Sequence, residues 1–324
     1  MPGEDVAEAV RVVLGELPDF PHLPEVPGRS EPASMVGRSL ALLVELAVDL
    51  QPAGWRLTGG PGLDQRRAVS LLAQDLDTFE EQAQGLAGPL KLQVAGPWTL
   101  AATVERPRGD KVLADHGARR ELAQSMAVGL SDHLRDLRRR VPDADLVLQI
   151  DEPALPAVLA AKIPTASGFG RHRSVDVAKA VEGLRWYVEA AAAEGVPAVV
   201  HCCAADVPLD VVTRSGARGV SVDAGLIGRP EYDGYAAALD DGFGLWLGVV
   251  PGTAPASPPA ADAVADRVRR LVEDWGHDPE RASQLVLTPT CGLAGASPAW
   301  SRQALEITRT AARQLSAEDG RMGS

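Results

Sequence analysis

Short runs rich in Val, Leu and Ile alternate along the chain with longer stretches in which apolar residues recur at helical spacing. The short runs are bounded by Gly, Pro or Asp, which is typical of strands buried on both faces. We predict strands over residues 54–58, 90–95, 146–151, 198–203, 219–223, 245–250 and 285–288.

The longer stretches predict amphipathic helices over residues 6–17, 119–140, 175–194 and 260–274. Alternating strands and helices are typical of a parallel α/β fold, either a doubly wound open sheet or a (β/α)8 barrel. No Gly-x-Gly-x-x-Gly motif follows a predicted strand, so the dinucleotide-binding form of the open sheet loses its main support. We therefore expect a single TIM-type barrel domain over residues 1–315, with its first strand missing or truncated, and a flexible tail over residues 316–324.

The positions of the reactive side chains also favour the barrel. Asp151, His201, Cys203, Asp223 and Cys291 all fall at or just after the carboxyl end of a predicted strand. In a (β/α)8 barrel these strand ends form the catalytic face. We expect the five side chains to converge at one mouth of the barrel.

Three of these residues have the chemistry of a zinc site. Strand alternation puts His201 and Cys203 on one face and Cys202 on the other. Imidazole and thiolate are ligands that zinc prefers, and Cys291, after the last predicted strand, adds a third. Asp223 is a candidate fourth ligand. The alternatives are buried cysteines that only fill space and an aspartate that only caps a helix.

Two acidic residues, Asp151 and Glu152, close one of the central predicted strands. Adjacent carboxylates can hold a substrate ammonium or act as general acid and base, and Asp151 is the candidate catalytic residue. Capping of the following helix is the alternative. In the loop beyond, Arg171 and Arg173 are either solvated or form a clamp for an anion.

Composition narrows the class of protein. The 44 Asp and Glu residues exceed the 32 Lys and Arg residues, and the net charge of −12 disfavours nucleic acid and anionic lipid as partners. Three cysteines cannot form a disulfide framework and suit a reducing compartment. No apolar run reaches the roughly 18 residues of a membrane span. We expect a cytoplasmic protein with no membrane partner.

Five motifs, taken in order, resemble the C-terminal catalytic barrel of cobalamin-independent methionine synthase. They are Gly96-Pro97-Trp98-Thr99, Gln149-Ile150-Asp151-Glu152-Pro153-Ala154-Leu155, His201-Cys202-Cys203, Val220-Ser221-Val222-Asp223 and Pro289-Thr290-Cys291-Gly292-Leu293. Each motif is unspecific alone, whereas the ordered set at strand ends is specific.

The resemblance implies a zinc-dependent methyltransferase that moves a methyl group to the thiol of homocysteine and makes methionine. The family residues that match His201, Cys203, Asp223 and Cys291 bind zinc. The acid that matches Asp151 holds the amino group of the amino acid, and we assign Glu152 to the same substrate-binding site. The implied methyl donor is methyltetrahydrofolate or, for a short form of the enzyme, a methylated corrinoid protein.

The chain departs from the family pattern at three places. Asp223 stands where the family has Glu, and residues 248–253 stand where the family has a segment with a proton-donating His. The sequence begins in register just after the Gly-Ser-x-Pro motif that opens the family's barrel, in agreement with the missing first strand. Two other functions stay open: a metal-free enzyme resembling uroporphyrinogen decarboxylase, and a binding homologue without catalysis.

Overall fold

The computed structural model describes residues 1–319, which form a parallel sheet of six strands preceded by a separate antiparallel pair. The strands are β1 (Ala47–Gln51), β2 (Gly54–Thr58), β3 (Gly88–Ala95), β4 (Ala144–Asp151), β5 (Ala198–Cys202), β6 (Gly219–Asp223), β7 (Gly244–Val250) and β8 (Val286–Pro289). The helices are α1 (Val6–Glu16), α2 (Met35–Leu40), α3 (Leu63–Gln82), α4 (Pro97–Thr103), α5 (His116–Arg140), α6 (Leu155–Leu159), α7 (Val177–Ala193), α8 (Leu209–Arg214), α9 (Tyr232–Asp240), α10 (Ala261–Asp274) and α11 (Pro298–Asp319).

The large sheet runs in chain order from β3 to β8, and every neighbouring pair of strands is parallel. Helices return the chain between successive strands. Alternation along β3 buries Leu90 and Leu92 in the apolar core, while Lys91 and Gln93 lie on the opposite face. This polar face of the sheet carries the candidate site.

The predicted parallel α/β fold is confirmed, with six strands in the large sheet. Beside its edge strand β3, the backbone N–H of Leu23 donates to the Lys91 carbonyl (2.8 Å), and the Lys91 N–H donates to the Pro21 carbonyl (3.0 Å). These two bonds form an isolated parallel bridge between His22 and Lys91. The proline-rich segment before α2 therefore adds a single β-bridge to the β3 edge of the sheet.

One predicted strand lies outside the barrel-type sheet. Strand β2 was expected in that sheet, but it pairs antiparallel with β1 in a hairpin that packs on α3. The pairing of Gln51 with Gly54 leaves a two-residue turn, and Gly54 adopts a φ of 123°, which favours glycine. Strand β1 escaped prediction because Asp49 and Gln51 interrupt its apolar run.

The four predicted helices are present as α1, α5, α7 and α10, and three of them begin at an aspartate cap. The side chains of Asp5, Asp115 and Asp176 accept backbone hydrogen bonds in the first turns of α1, α5 and α7. At the carboxyl end of the chain, α11 continues through the first residues of the predicted tail to Asp319, and the rest of that tail lies outside the described residues. No helix among residues 1–319 is long and apolar enough to cross a membrane.

Candidate metal and substrate site

Three of the predicted ligands converge at the carboxyl edge of the sheet. One ligand atom from each of His201, Cys203 and Cys291 lies within 4.8 Å of the other two. The sulfur atoms of Cys203 and Cys291 are 3.5 Å apart. His201 and Cys203 are half-buried and Cys291 is exposed, so the group lies at the surface of the mouth. These side chains could hold a metal ion.

The chain brings these residues together through the parallel strand order. His201 is in β5 and Cys203 follows the last residue of that strand, so both point to the same side. Cys291 follows β8 by two residues, at a sharp turn into the chain before α11. Cys202 lies on the opposite face, where it is 1% exposed and burial raises the pKa of its thiol to about 11. The predicted division of the cysteines between two faces agrees with this geometry.

The two thiols of the group are electrostatically unequal. Hydrogen bonding from the Cys203 thiol and from the His201 ring lowers the pKa of Cys291 to about 4. The pKa of Cys203 is raised because its proton is shared with Cys291. The arrangement favours one thiolate and one thiol in the metal-free protein, and a bound cation would favour deprotonation of both.

A serine on the neighbouring strand holds the His201 ring. Ser221 is opposite His201 in the register of β5 and β6, and its Oγ is 3.0 Å from His201 Nδ1. The serine is 2% exposed. A hydrogen bond at Nδ1 fixes the ring and leaves Nε2 as the nitrogen for a ligand role.

The structure does not bring Asp223 together with the other three predicted ligands. Asp223 ends β6, and its Oδ1 accepts a hydrogen bond from the backbone N–H of Gly225 at 2.8 Å. The side chain therefore caps the short 3-10 turn that follows, which was the alternative considered for this position.

Asp151 lies next to the metal group on the polar face of the sheet. It is opposite His201 in the register of β4 and β5 and is 6% exposed. Its Oδ1 accepts a hydrogen bond from Gln149 Nε2 at 2.7 Å. Burial raises the pKa of Asp151 to about 6, while the charges of His201 and Lys91 oppose this shift.

Glu25 is a neighbouring carboxylate that sequence analysis missed. Its negative charge contributes to the raised pKa of Asp151 and interacts favourably with Lys91. Arg38 approaches the Glu25 carboxylate at 3.7 Å. No sequence signal marked Glu25, because it lies within a proline-rich segment that does not have the pattern of a strand.

Glu152 holds a helix in place. Its carboxylate is fully buried and accepts hydrogen bonds from the backbone N–H groups of Trp98 (2.9 Å) and Thr99 (2.8 Å) and from the Thr99 hydroxyl (2.8 Å). Burial raises the pKa of Glu152 to about 7. Gly96 is required beside it, because a Cβ there would lie 2.4 Å from the Glu152 carboxyl. Both oxygens of this acid are used by the first turn of α4, whereas the alternative to the predicted substrate-binding role was capping of the helix that follows Glu152.

Of the two alternatives for the loop after β4, solvated arginines agree better with the structure than an anion clamp does. Arg171 donates to the Lys162 carbonyl at 2.7 Å, and His172 Nε2 lies 3.1 Å from Asp110 Oδ1. The side chains of Arg171 and Arg173 are both exposed. These contacts form a small hairpin that is fastened to the neighbouring loop.

The protein has a parallel α/β fold. At the carboxyl ends of its strands lies a group of one His and two Cys side chains that could hold a metal ion. The family model described as cobalamin-independent synthase, catalytic domain, matches residues 82–314. The chain belongs to this family, which confirms the resemblance carried by its motifs. It is accordingly a methionine synthase-type enzyme, in the class of methyltransferases.

Comparison with one solved structure supports the fold. The chain is similar to a B12-independent methionine synthase from Shewanella sp. W3-18-1 in complex with selenomethionine, at 15% identity and a TM-score of 0.63, over 97% of this chain and 88% of that one. β-Methylaspartase from Clostridium tetanomorphum is more distant, at 13% identity and a TM-score of 0.43, over 98% and 63% of the two chains. A 2,3-dimethylmalate lyase matches at 14% identity and a TM-score of 0.35 over the full length of both chains. Curated proteins gave no significant match.

Proposed function

We propose that this protein is a zinc-dependent methyltransferase that moves a methyl group to the sulfur of homocysteine and makes methionine. The observation that carries the proposal is the convergence of His201, Cys203 and Cys291 within 4.8 Å, in a chain of the cobalamin-independent synthase family. We place the activity in a single barrel-type domain over residues 1–315.

The donor set fits zinc. One imidazole and two thiolates are ligands of catalytic zinc sites, which use three protein ligands and leave a fourth position to substrate. Two sulfurs bound to one tetrahedral zinc at about 2.3 Å are roughly 3.8 Å apart, and Cys203 and Cys291 approach this spacing at 3.5 Å. A fourth protein ligand at Asp223 stays a prediction.

The chemistry follows from this site. His201, Cys203 and Cys291 would hold the zinc ion, and its positive charge would favour deprotonation of a substrate thiol at neutral pH. The homocysteine sulfur forms the new S–C bond with its own electron pair, and the bond from the methyl carbon to the donor breaks with its pair left on the donor. Methyltetrahydrofolate then needs a proton on its nitrogen, whereas a methylated corrinoid protein keeps the pair on its metal. Residues 248–253 contain no His to supply that proton.

The amino acid would be held by the carboxylates next to the metal group. Asp151 and Glu25 both interact with Lys91, and Glu25 is also paired with Arg38 at 3.7 Å. Within the described part of the chain, Asp151 has no Arg or Lys in an ion pair with it, which suits it to the ammonium of an amino acid. Glu152 acts on the site indirectly, because its carboxylate is bound to α4.

Zinc content of protein purified without added metal tests the proposal, and we expect about one zinc per chain. Cys291→Ser should lose most of the metal, since a hydroxyl is a far poorer zinc ligand than a thiolate. The control is Cys202→Ala, which removes a cysteine on the opposite face and should keep the zinc. Unchanged zinc content in Cys291→Ser would rule out the site.

The assay for turnover is methionine formation from homocysteine, with methyltetrahydrofolate and methylcobalamin tested separately as donors. Homocysteine binding without turnover on either donor would favour the inactive homologue. The decarboxylase-like alternative receives no support from Arg171, whose guanidinium is used by the Lys162 carbonyl.

A further inference from the structure

A row of polar side chains crosses the polar face of the sheet and ends at Asp151. Lys91 in β3 donates from Nζ to Gln149 Oε1 at 3.1 Å. Gln149 in β4 donates from Nε2 to Asp151 Oδ1 at 2.7 Å. Gln149 stands two residues before Asp151 on the same strand, so both side chains lie on the same face.

The chemistry of the two ends gives the Gln149 amide one orientation. An ammonium group can only donate hydrogen bonds, and an ionised carboxylate can only accept them. Lys91 therefore requires the amide oxygen on its side, and Asp151 requires the amide nitrogen on the other. One orientation of the Gln149 amide meets both requirements, and in such a chain each hydrogen bond polarises and strengthens the next.

This row of hydrogen bonds reaches only one of the two carboxylate oxygens of Asp151. Its Oδ1 is bound by Gln149, while Oδ2 has no hydrogen-bond partner among residues 1–319. Oδ2 is not one of the enclosed polar atoms that lack a partner, so it is open to the site, where a substrate ammonium could donate to it. Lys91 adds a positive charge that balances part of the negative charge of Asp151 and Glu25.

We propose that Gln149 and Lys91 are positioning residues for amino-acid recognition, holding Asp151 with one oxygen bound by the protein and the other left for the α-ammonium of the substrate. Neither residue touches the substrate in this account. The inference rests on the proposed function, because the amino acid is the substrate of that function. The free oxygen of Asp151 would make the site selective for a substrate with an α-amino group.

The test compares two ligands that differ only in the α-amino group. Binding of L-methionine and of 4-(methylthio)butanoate to zinc-loaded protein is measured by calorimetry. In Gln149→Met we expect L-methionine affinity to fall about tenfold to a hundredfold, as for loss of a hydrogen bond to a charged group. The affinity for 4-(methylthio)butanoate should not change, because that ligand has no ammonium for Asp151. Lys91→Met should act in the same direction and more weakly.

Two control variants make the same substitutions elsewhere. Gln65→Met removes a buried amide whose Oε1 accepts from the Val48 N–H, and Lys111→Met removes an ammonium that donates to the Ala102 carbonyl. Both controls should bind the two ligands as the wild type does. If Gln149→Met does not fold, Lys91→Met carries the test, since it leaves the Gln149 amide in place.

The outcomes separate the inference from the function on which it rests. Equal losses for both ligands in Gln149→Met, or no loss for either, would overturn the positioning role while the wild type still binds methionine. If the zinc-loaded wild type binds no methionine, the proposed function fails and the inference fails with it. A loss confined to L-methionine supports both.

Discussion

Ser221 should control how tightly the protein holds zinc, although it is not itself a ligand. Its hydroxyl lies 3.0 Å from His201 Nδ1 and is buried at the register position opposite the histidine. Ser221→Ala deletes this single oxygen and leaves β6 otherwise unchanged. The His201 ring then loses the contact that fixes its rotation and its tautomer.

The size of the effect can be worked from this one contact. Loss of a hydrogen bond to a metal-ligating histidine typically costs about tenfold to a hundredfold in metal affinity. A hydrogen bond from a neutral hydroxyl contributes about 0.5–1.5 kcal/mol net, which corresponds to roughly two- to twelvefold at about 1.4 kcal/mol per factor of ten. The two ranges overlap near tenfold, so we expect zinc affinity to fall about tenfold.

The assay is competition for zinc between the protein and a chromophoric chelator at fixed pH. Ser215→Ala is the matched control, because Ser215 is also buried but donates to the Val212 carbonyl. The control should retain wild-type zinc affinity. If Ser221→Ala also retained it, His201 would not be oriented by Ser221, and the assignment of Nε2 as the metal-facing nitrogen would lose its basis.

Three further predictions concern the surroundings of the site. Gly96→Ala should lower the free energy of unfolding by about 1–3 kcal/mol in a urea titration, because the new methyl group would lie 2.4 Å from the Glu152 carboxyl. Glu152→Gln should gain stability relative to the wild type as pH rises from about 4.5 to about 7. Burial raises the pKa of Glu152 to about 7 in the folded protein, so the wild type loses stability over this range. In zinc-free protein at pH 6, iodoacetamide should modify Cys291 well before Cys202, because the pKa of Cys291 is lowered to about 4 and Cys202 is buried.

Each of these predictions has a clear contrary result. Gly60→Ala, with no atom within 4 Å of the new Cβ, is the control for Gly96→Ala, and equal stability of the two variants would contradict the close approach. For Glu152→Gln, the free energy of unfolding relative to the wild type should rise by on the order of 3 kcal/mol between pH 4.5 and about pH 7, at about 1.4 kcal/mol per unit of pKa. A difference that does not vary with pH would show that Glu152 does not titrate in this range. Bound zinc should protect Cys291 from alkylation, and unprotected Cys291 would count against the site.

The strands that carry the site could be predicted because their sequences are apolar runs with clear boundaries. His201 and Cys203 could be placed on one face by alternation, and the parallel order of strands brought Cys291 to the same edge. The same alternation could have identified Gln149 and Ser221, since each stands two residues before a predicted site residue on its strand. Their polar side chains were overlooked because a single glutamine or serine in a strand does not reveal its hydrogen-bond partner on the neighbouring strand.

Other features depend on contacts that no local pattern encodes. The role of Glu152 follows from α4, which begins more than 50 residues earlier in the chain. Glu25 approaches Asp151 only because residues near Pro21 pair beside β3. Strand β2 was recognised as a strand, but its partner β1 was not, so its place outside the large sheet could not be foreseen.

In the proposed site, His201, Cys203 and Cys291 would hold a zinc ion to which the homocysteine sulfur could bind. X-ray absorption at the zinc edge, recorded before and after addition of homocysteine, measures this binding. We expect two sulfur ligands and one imidazole at first, and three sulfur ligands after homocysteine is added. A sulfur count that does not change with homocysteine, in protein that contains zinc, would contradict the account.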